Sequence, residues 1–247
     1  MSLSASPDEA PVQELGGLAT LLRPRLGNWI GPAWAVLQKD LRTEFRTRLG
    51  LSVLFLFALT TLVAVSYTLG PLGASPEVLA ALLWVILFFT AMAGLSRAFI
   101  HEEETRTATA LRLAAPPEAV YLGKFALNLL LLLGVELVVV PLYGLLMGLP
   151  IEKPGLLVGI LLLGDWGIAE VSTLLAAMVA QARGKGALFA ILALPLLLPL
   201  LIVAIGATRL AYYGEPFAEA FPAIKALISY GGTMLVICLW LFRFAWE

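Results

Sequence analysis

Charge, cysteine and histidine are all scarce in this chain, and each scarcity excludes something. Only 13% of the 247 residues are charged, against roughly 25% in an average soluble domain. With 60% apolar residues and a mean hydropathy of +0.94, the chain is neither an ordinary soluble enzyme nor a disordered protein. A net charge of −1 leaves no basic footprint for nucleic acid. The single cysteine, Cys238, excludes an intrachain disulfide, a CxxC redox pair and a CxxCH haem attachment site. The single histidine, His101, excludes a His-rich metal site. Catalytic motifs are missing too. The Gly-Lys pairs Gly123-Lys124 and Gly184-Lys185 do not complete a Walker A phosphate loop, so the chain is not expected to hydrolyse ATP alone. Neither a Gly-x-Ser-x-Gly elbow nor a His-Glu-x-x-His helix occurs. No catalytic residue, metal or firmly bound cofactor is expected, which points to a pore, a transporter subunit or a scaffold.

What the sequence does have is long apolar runs. The gaps between charges predict six membrane spans, at 49–70, 78–96, 123–148, 156–180, 186–208 and 225–243. At about 1.5 Å per residue, each reaches across a roughly 30 Å hydrocarbon core. The expected fold is an all-α polytopic membrane domain over 49–247. Residues 1–32, with four prolines and three acids, read as a flexible tail without the basic start of a signal peptide. Between tail and spans, 33–48 predicts an amphipathic interfacial helix. Trp34, Leu37, Leu41 and Phe45 recur at helical spacing, flanked by Lys and Arg. The external connection around 209–224 is long enough for a further short interfacial helix. The aromatic cluster Trp240, Phe242, Phe244 and Trp246 suits the headgroup level.

Orientation follows from the basic residues. Alternate inter-span segments hold 13 and 3 of the 16 Lys and Arg. The positive-inside bias therefore places both termini in the cytoplasm.

The most polar connection between spans is 97–122. Its Glu102, Glu103 and Glu104 open a short predicted helix that runs to Leu113 and is stopped by Pro116-Pro117. Two readings of it stand: a solvated charged loop, or a docking helix that receives motion from a cytoplasmic motor. Phe99, Glu102, Glu104 and Thr107, then Leu111, Leu113 and the run Tyr121-Leu122-Gly123-Lys124, resemble the pattern of the haem exporter protein B family (CcmB). So do Asn128 with Glu136-Leu137 and Pro141, and Leu194-Pro195 followed by Pro199-Leu200-Leu201. Arg106 and Thr109 depart from the pattern, standing where the family has Gly and Glu.

The resemblance implies a type 2 ABC exporter-like permease subunit of the cytochrome c maturation exporter, with 97–122 as its coupling segment. Its ATPase-coupling interface would comprise Phe99, Glu102, Glu103, Glu104, Arg106 and Thr107. It also implies two copies of a separate ATP-binding subunit and a homodimer of this chain. A haem-handling membrane subunit, a small accessory membrane protein and a periplasmic haem chaperone would complete the system. ATP would sit on the partner subunit, and haem would be the candidate cargo. The rival readings are a non-transporting scaffold of the same complex and the permease of a different type 2 exporter with a lipid-like or drug-like substrate.

Three acids fall inside predicted spans: Glu136, Asp165 and Glu170. A charge at mid-bilayer costs about 2.5–3.5 kcal/mol on insertion scales, so each needs a reason. Counting from the span ends puts Glu136 roughly 18–20 Å and Glu170 roughly 15–17 Å deep. The two thus share a layer, and could share a proton if spans three and four face each other. Neutral acids bonded between helices, acids facing a water-filled dimer cavity, and a proton relay or ligand contact all remain open. Pro195 and Pro199, four apart in span five, predict a kink that is either a fixed bend or a hinge.

Overall fold

The computed structural model describes residues 29–69, 74–99, 102, 107–148, 151–180 and 185–246. Among them are eight α-helices and no strand. They are α1 (Ile30–Thr47), α2 (Leu49–Leu69), α3 (Pro76–Leu95), α4 (Ala108–Ala114), α5 (Pro117–Met147), α6 (Pro154–Ala180), α7 (Lys185–Tyr213) and α8 (Phe217–Trp246). Six of them, α2, α3 and α5 to α8, are long and apolar enough to cross a membrane. The chain is therefore the all-α polytopic membrane protein its hydropathy predicts.

Local chemistry sets the boundaries. Pro116-Pro117 ends α4, because proline cannot continue a helix, but Pro117 at the first position of α5 suits a helix start. That moves the start of α5 six residues ahead of the predicted 123. Its 31 residues span about 46 Å, so its first turns project beyond a bilayer core. At the other end, α7 and α8 run on until Gly214 (φ 72°) and Pro216 break them. The segment expected to hold a separate interfacial helix is thereby absorbed into two long spans. The turn from α1 to α2 uses a single residue, Arg48, at φ 56°. Glu44 secures it: its backbone carbonyl accepts from Arg48 N–H at 2.6 Å, and its side chain accepts from Leu51 N–H at 2.8 Å.

Helix α6 is the axis of the bundle, packed against α3, α5, α7 and α8. In α3 and α6, 67% of the most apolar window is buried, against 17% in α2 and α8. The first pair forms the interior, and the second presents its apolar surface outward. Gly164 allows the close approach: a Cβ there would collide with the ring of Trp84. Trp84 is fully buried, and its indole N–H donates to Thr208 Oγ1 at 2.9 Å. One side chain thus joins α3, α6 and α7.

Candidate functional site

The polar residues concentrate where α1, the segment after α3, and the start of α5 meet. Helix α1 folds onto α5 through Val36 and Leu37. Gly123 makes room for it, since a Cβ at that position would lie 2.8 Å from both Ala33 O and Val36. The predicted apolar stripe therefore divides. Leu37 is buried and Leu41 packs at the edge of the core, whereas Trp34 and Phe45 are exposed beside Ile30. Arg42 and Arg46 lie on the next sector of the helix, both exposed. One side of α1 holds the protein, and the neighbouring apolar flank is free for lipid.

On its packed side α1 also carries Asp40, which is 7% exposed. Asp40 belongs to a closed cluster of two cations and two anions. Lys124 Nζ lies 2.6 Å from Glu102 Oε1 and 3.1 Å from Asp40 Oδ2, and donates to Ala98 O at 2.6 Å. Lys39 Nζ lies 2.8 Å from the same Glu102 oxygen and 2.9 Å from Asp40 Oδ1. Burial alone would raise the Glu102 carboxyl's pKa, but the charge of Lys124 and the hydrogen bonds from both lysines hold it below the usual value. Burial likewise works against the charge on Lys39, and is outweighed by Glu102 and Asp40, so its pKa is raised. The cluster is neutral as a whole, with Asp40, Glu102 and Lys124 buried and Lys39 reaching the surface at 46% side-chain exposure, which is how three charges persist away from water. It borders a cleft of about 150 Å³ lined also by Thr43, Arg97 and Asn128.

Next to the cluster, Phe99 is 1% exposed and inserts among Phe242 at 5.8 Å, Trp246 at 5.4 Å and the Lys124 ammonium at 5.1 Å. The terminal aromatic group of α8 is consequently split. Phe242 and Trp246 turn inward, while Trp240 and Phe244 face out at 64% exposure. The segment between α3 and α5 is thus anchored at Phe99 and Glu102. Its outer surface is α4, where Thr107 is exposed and Leu113 is 87% exposed. Arg112 on α4 lies over the Trp246 ring at 5.1 Å. Of the residues expected at a coupling interface, Phe99 and Glu102 therefore point into the protein and Thr107 points out. Glu103, Glu104 and Arg106 lie outside the described residues, as do His101 and the tail to residue 28.

The other three cluster members, Lys39, Asp40 and Lys124, were not singled out as site residues by the sequence. Asp40 had a signal: it follows Val36 by four residues, a charge on what becomes the packed face.

The intramembrane acids are all buried, at 7% exposure for Glu136, 1% for Asp165 and 0% for Glu170. In the register marked by the Asn128–Thr173 hydrogen bond, Glu136 stands level with Asp165, and these two carboxyls interact. Neither oxygen of Glu170 has a hydrogen-bond partner among the described residues, and its carboxyl lies near Trp166 on its own helix and near Tyr121, Tyr230 and Cys238. Counting residues from the span ends gives depth alone, whereas the register of α5 on α6 is marked by the Asn128–Thr173 hydrogen bond. Pro195 and Pro199 sit inside a continuous α7, and Tyr230 of α8 donates to the Leu196 carbonyl in that turn at 2.7 Å. Among the described residues, no group of three or more His, Cys, Asp or Glu is placed to hold a metal ion.

Six spans, with an interfacial helix clamped to a buried charge cluster at one end, define a multi-pass membrane component with no enzyme-like constellation on the described residues. The family model described as CcmB protein matches residues 32–245, and the chain belongs to that family. It is 28% identical over 196 residues to heme exporter protein B of Bradyrhizobium diazoefficiens, covering 78% of this chain and 88% of that one. It is 31% identical over 195 residues to heme exporter protein B of Paracoccus denitrificans, covering 78% and 89%.

Proposed function

We propose that this protein is the membrane permease component of a haem exporter. It couples ATP hydrolysis by a separate cytoplasmic subunit to the membrane part, in the delivery of haem to a periplasmic chaperone for cytochrome c maturation. The names of its relatives support the cargo. The observation that supports coupling is the construction of the segment between α3 and α5. Phe99 and Glu102 root it in the bundle, and Leu113 projects from it almost fully exposed. An exposed leucine on a short helix that packs on α8 through Arg112 and Trp246, in a segment rooted by the ion pairs of Glu102, is a suitable contact for a partner, because force on α4 passes to the bundle through fixed side chains. In this reading ATP binds the partner and the chain itself is non-catalytic. Two ATP-binding subunits serve a homodimer of this chain, alongside a haem-handling membrane subunit and a small accessory protein.

Leu113→Asp tests it. The variant should insert at normal abundance and retain its thermal stability, while recovery of the ATP-binding subunit on purified complex falls several-fold. Unchanged recovery at equal abundance would remove α4 as the docking element.

A further inference from the structure

Helices α5 and α6 run antiparallel, and one hydrogen bond marks their register: Asn128 Nδ2 donates to Thr173 Oγ1 at 2.9 Å. Eight residues further along α5 stands Glu136, and eight residues back along α6 stands Asp165. The same register therefore places these two residues at one level, about 12 Å deeper in the membrane, where the two carboxyls interact. Among the described residues, no protein donor reaches either oxygen of Asp165 or Oε1 of Glu136. Among the described side chains, the other helices packed on α6 offer no counter-charge to either carboxyl. Glu77 on α3, Arg209 and Tyr212 on α7, and Lys225, Tyr230 and Cys238 on α8 do not act on them. Lys124, on α5 itself, is committed to Glu102 and Asp40.

Two ionised carboxylates in contact, out of water and with no cation, repel each other and lose their hydration. A carboxyl that keeps its proton becomes a donor, and the other accepts from it. The missing partner at this position is thus a proton. The two members are not equivalent: both Asp165 oxygens are sealed without a partner, but only one of the two Glu136 oxygens is.

We propose that Glu136 and Asp165 form an intramembrane proton-binding site in which Asp165 keeps its proton and donates it to Glu136. Glu136 is the member that exchanges with water. The bound proton holds the α5–α6 register, and its loss leaves like charges facing each other across that interface. This does not depend on what the protein transports.

Infrared spectroscopy of the purified full-length protein in lipid nanodiscs tests the site directly, in a Glu170→Gln background so that the third acid is silent. At neutral pH a protonated-carboxyl band should be present and should shift in deuterated water. It should disappear in Asp165→Asn, and in Glu136→Gln it should persist at a changed frequency, because the acceptor has become an amide. Thermal unfolding of each variant checks that the fold is kept. Should Asp165→Asn not fold, the deuterium shift in the parent and the frequency change in Glu136→Gln still decide the matter. Absence of the band from the parent at neutral pH would overturn the proposal. So would a band that survives Asp165→Asn, or one unmoved by Glu136→Gln.

Discussion

Lys124 and Glu102 meet at 2.6 Å, both almost wholly buried, and join the first turns of α5 to the segment that follows α3. Removing one partner of a buried pair leaves an uncompensated charge and costs about 3–5 kcal/mol. Lys124→Met and Glu102→Leu should each lower stability by that order. The double variant leaves Lys39 and Asp40 paired at 2.9 Å, still neutral, and should recover most of the loss. Thermal unfolding of the four proteins gives the cycle. Additive losses would mean that the two residues are not coupled.

The same cluster predicts a pH response. The Glu102 carboxyl is held below its ordinary value, so its contribution is present above the unfolded-state pKa of about 4.3. That contribution is lost as pH falls through the lower, folded value. Lys39 is raised, so its contribution is full below the ordinary lysine range and is lost as pH rises through the folded value. The unfolding midpoint should fall at both acid and alkaline extremes. Glu102→Gln should flatten the acid limb. An unchanged acid limb in that variant would assign the sensitivity to other groups.

Gly164 and Trp84 make a separate prediction about the bundle core. Any side chain at 164 meets the indole ring, so Gly164→Val should displace it and break its bond to Thr208. Overpacking of this kind costs about 1–3 kcal/mol. Trp84→Phe removes only the indole donor and some volume, leaving Thr208 without its partner at about 1–3 kcal/mol. Unfolding midpoints rank the two, and a Gly164→Val protein as stable as the parent would contradict the close packing of α3 on α6.

Orientation is open to a labelling experiment. With Cys238→Ala as background, cysteine at Ser75, just before α3, should react with an impermeant thiol reagent from the periplasm. Cysteine at the exposed Thr107 should react only after the membrane is opened. The reverse pattern would invert the topology and leave α4 on the wrong side for a cytoplasmic partner.

The six spans and the interfacial helix were legible in the sequence, because both are local properties. A hydrocarbon core demands an uninterrupted apolar run, and an amphipathic helix declares its face by spacing. The CcmB family was legible as well, through ordered matches from Phe99 to Leu201. The span limits at Pro117, Gly214 and Pro216 carried their own signals in helix-starting and helix-breaking chemistry, and were under-read.

Which face of each span turns inward was decided only by tertiary structure. In water, hydrophobicity separates core from surface. In a membrane, lipid is as apolar as the core, so composition does not distinguish Phe242 and Trp246, which are buried, from Trp240 and Phe244, which are not. The polar residues suffer the same ambiguity. Glu102 stood in a charge run with every mark of a solvated loop, yet two lysines from α1 and α5 draw it inside. Glu136 was placed beside Glu170 by counting along each span, and beside Asp165 by the register of α5 on α6. That register is marked by the hydrogen bond from Asn128 to Thr173, and the approach of other helices by Gly164 under Trp84 of α3 and Gly123 under Val36 of α1. Those are contacts between distant parts of the chain, and no spacing within one segment contains them.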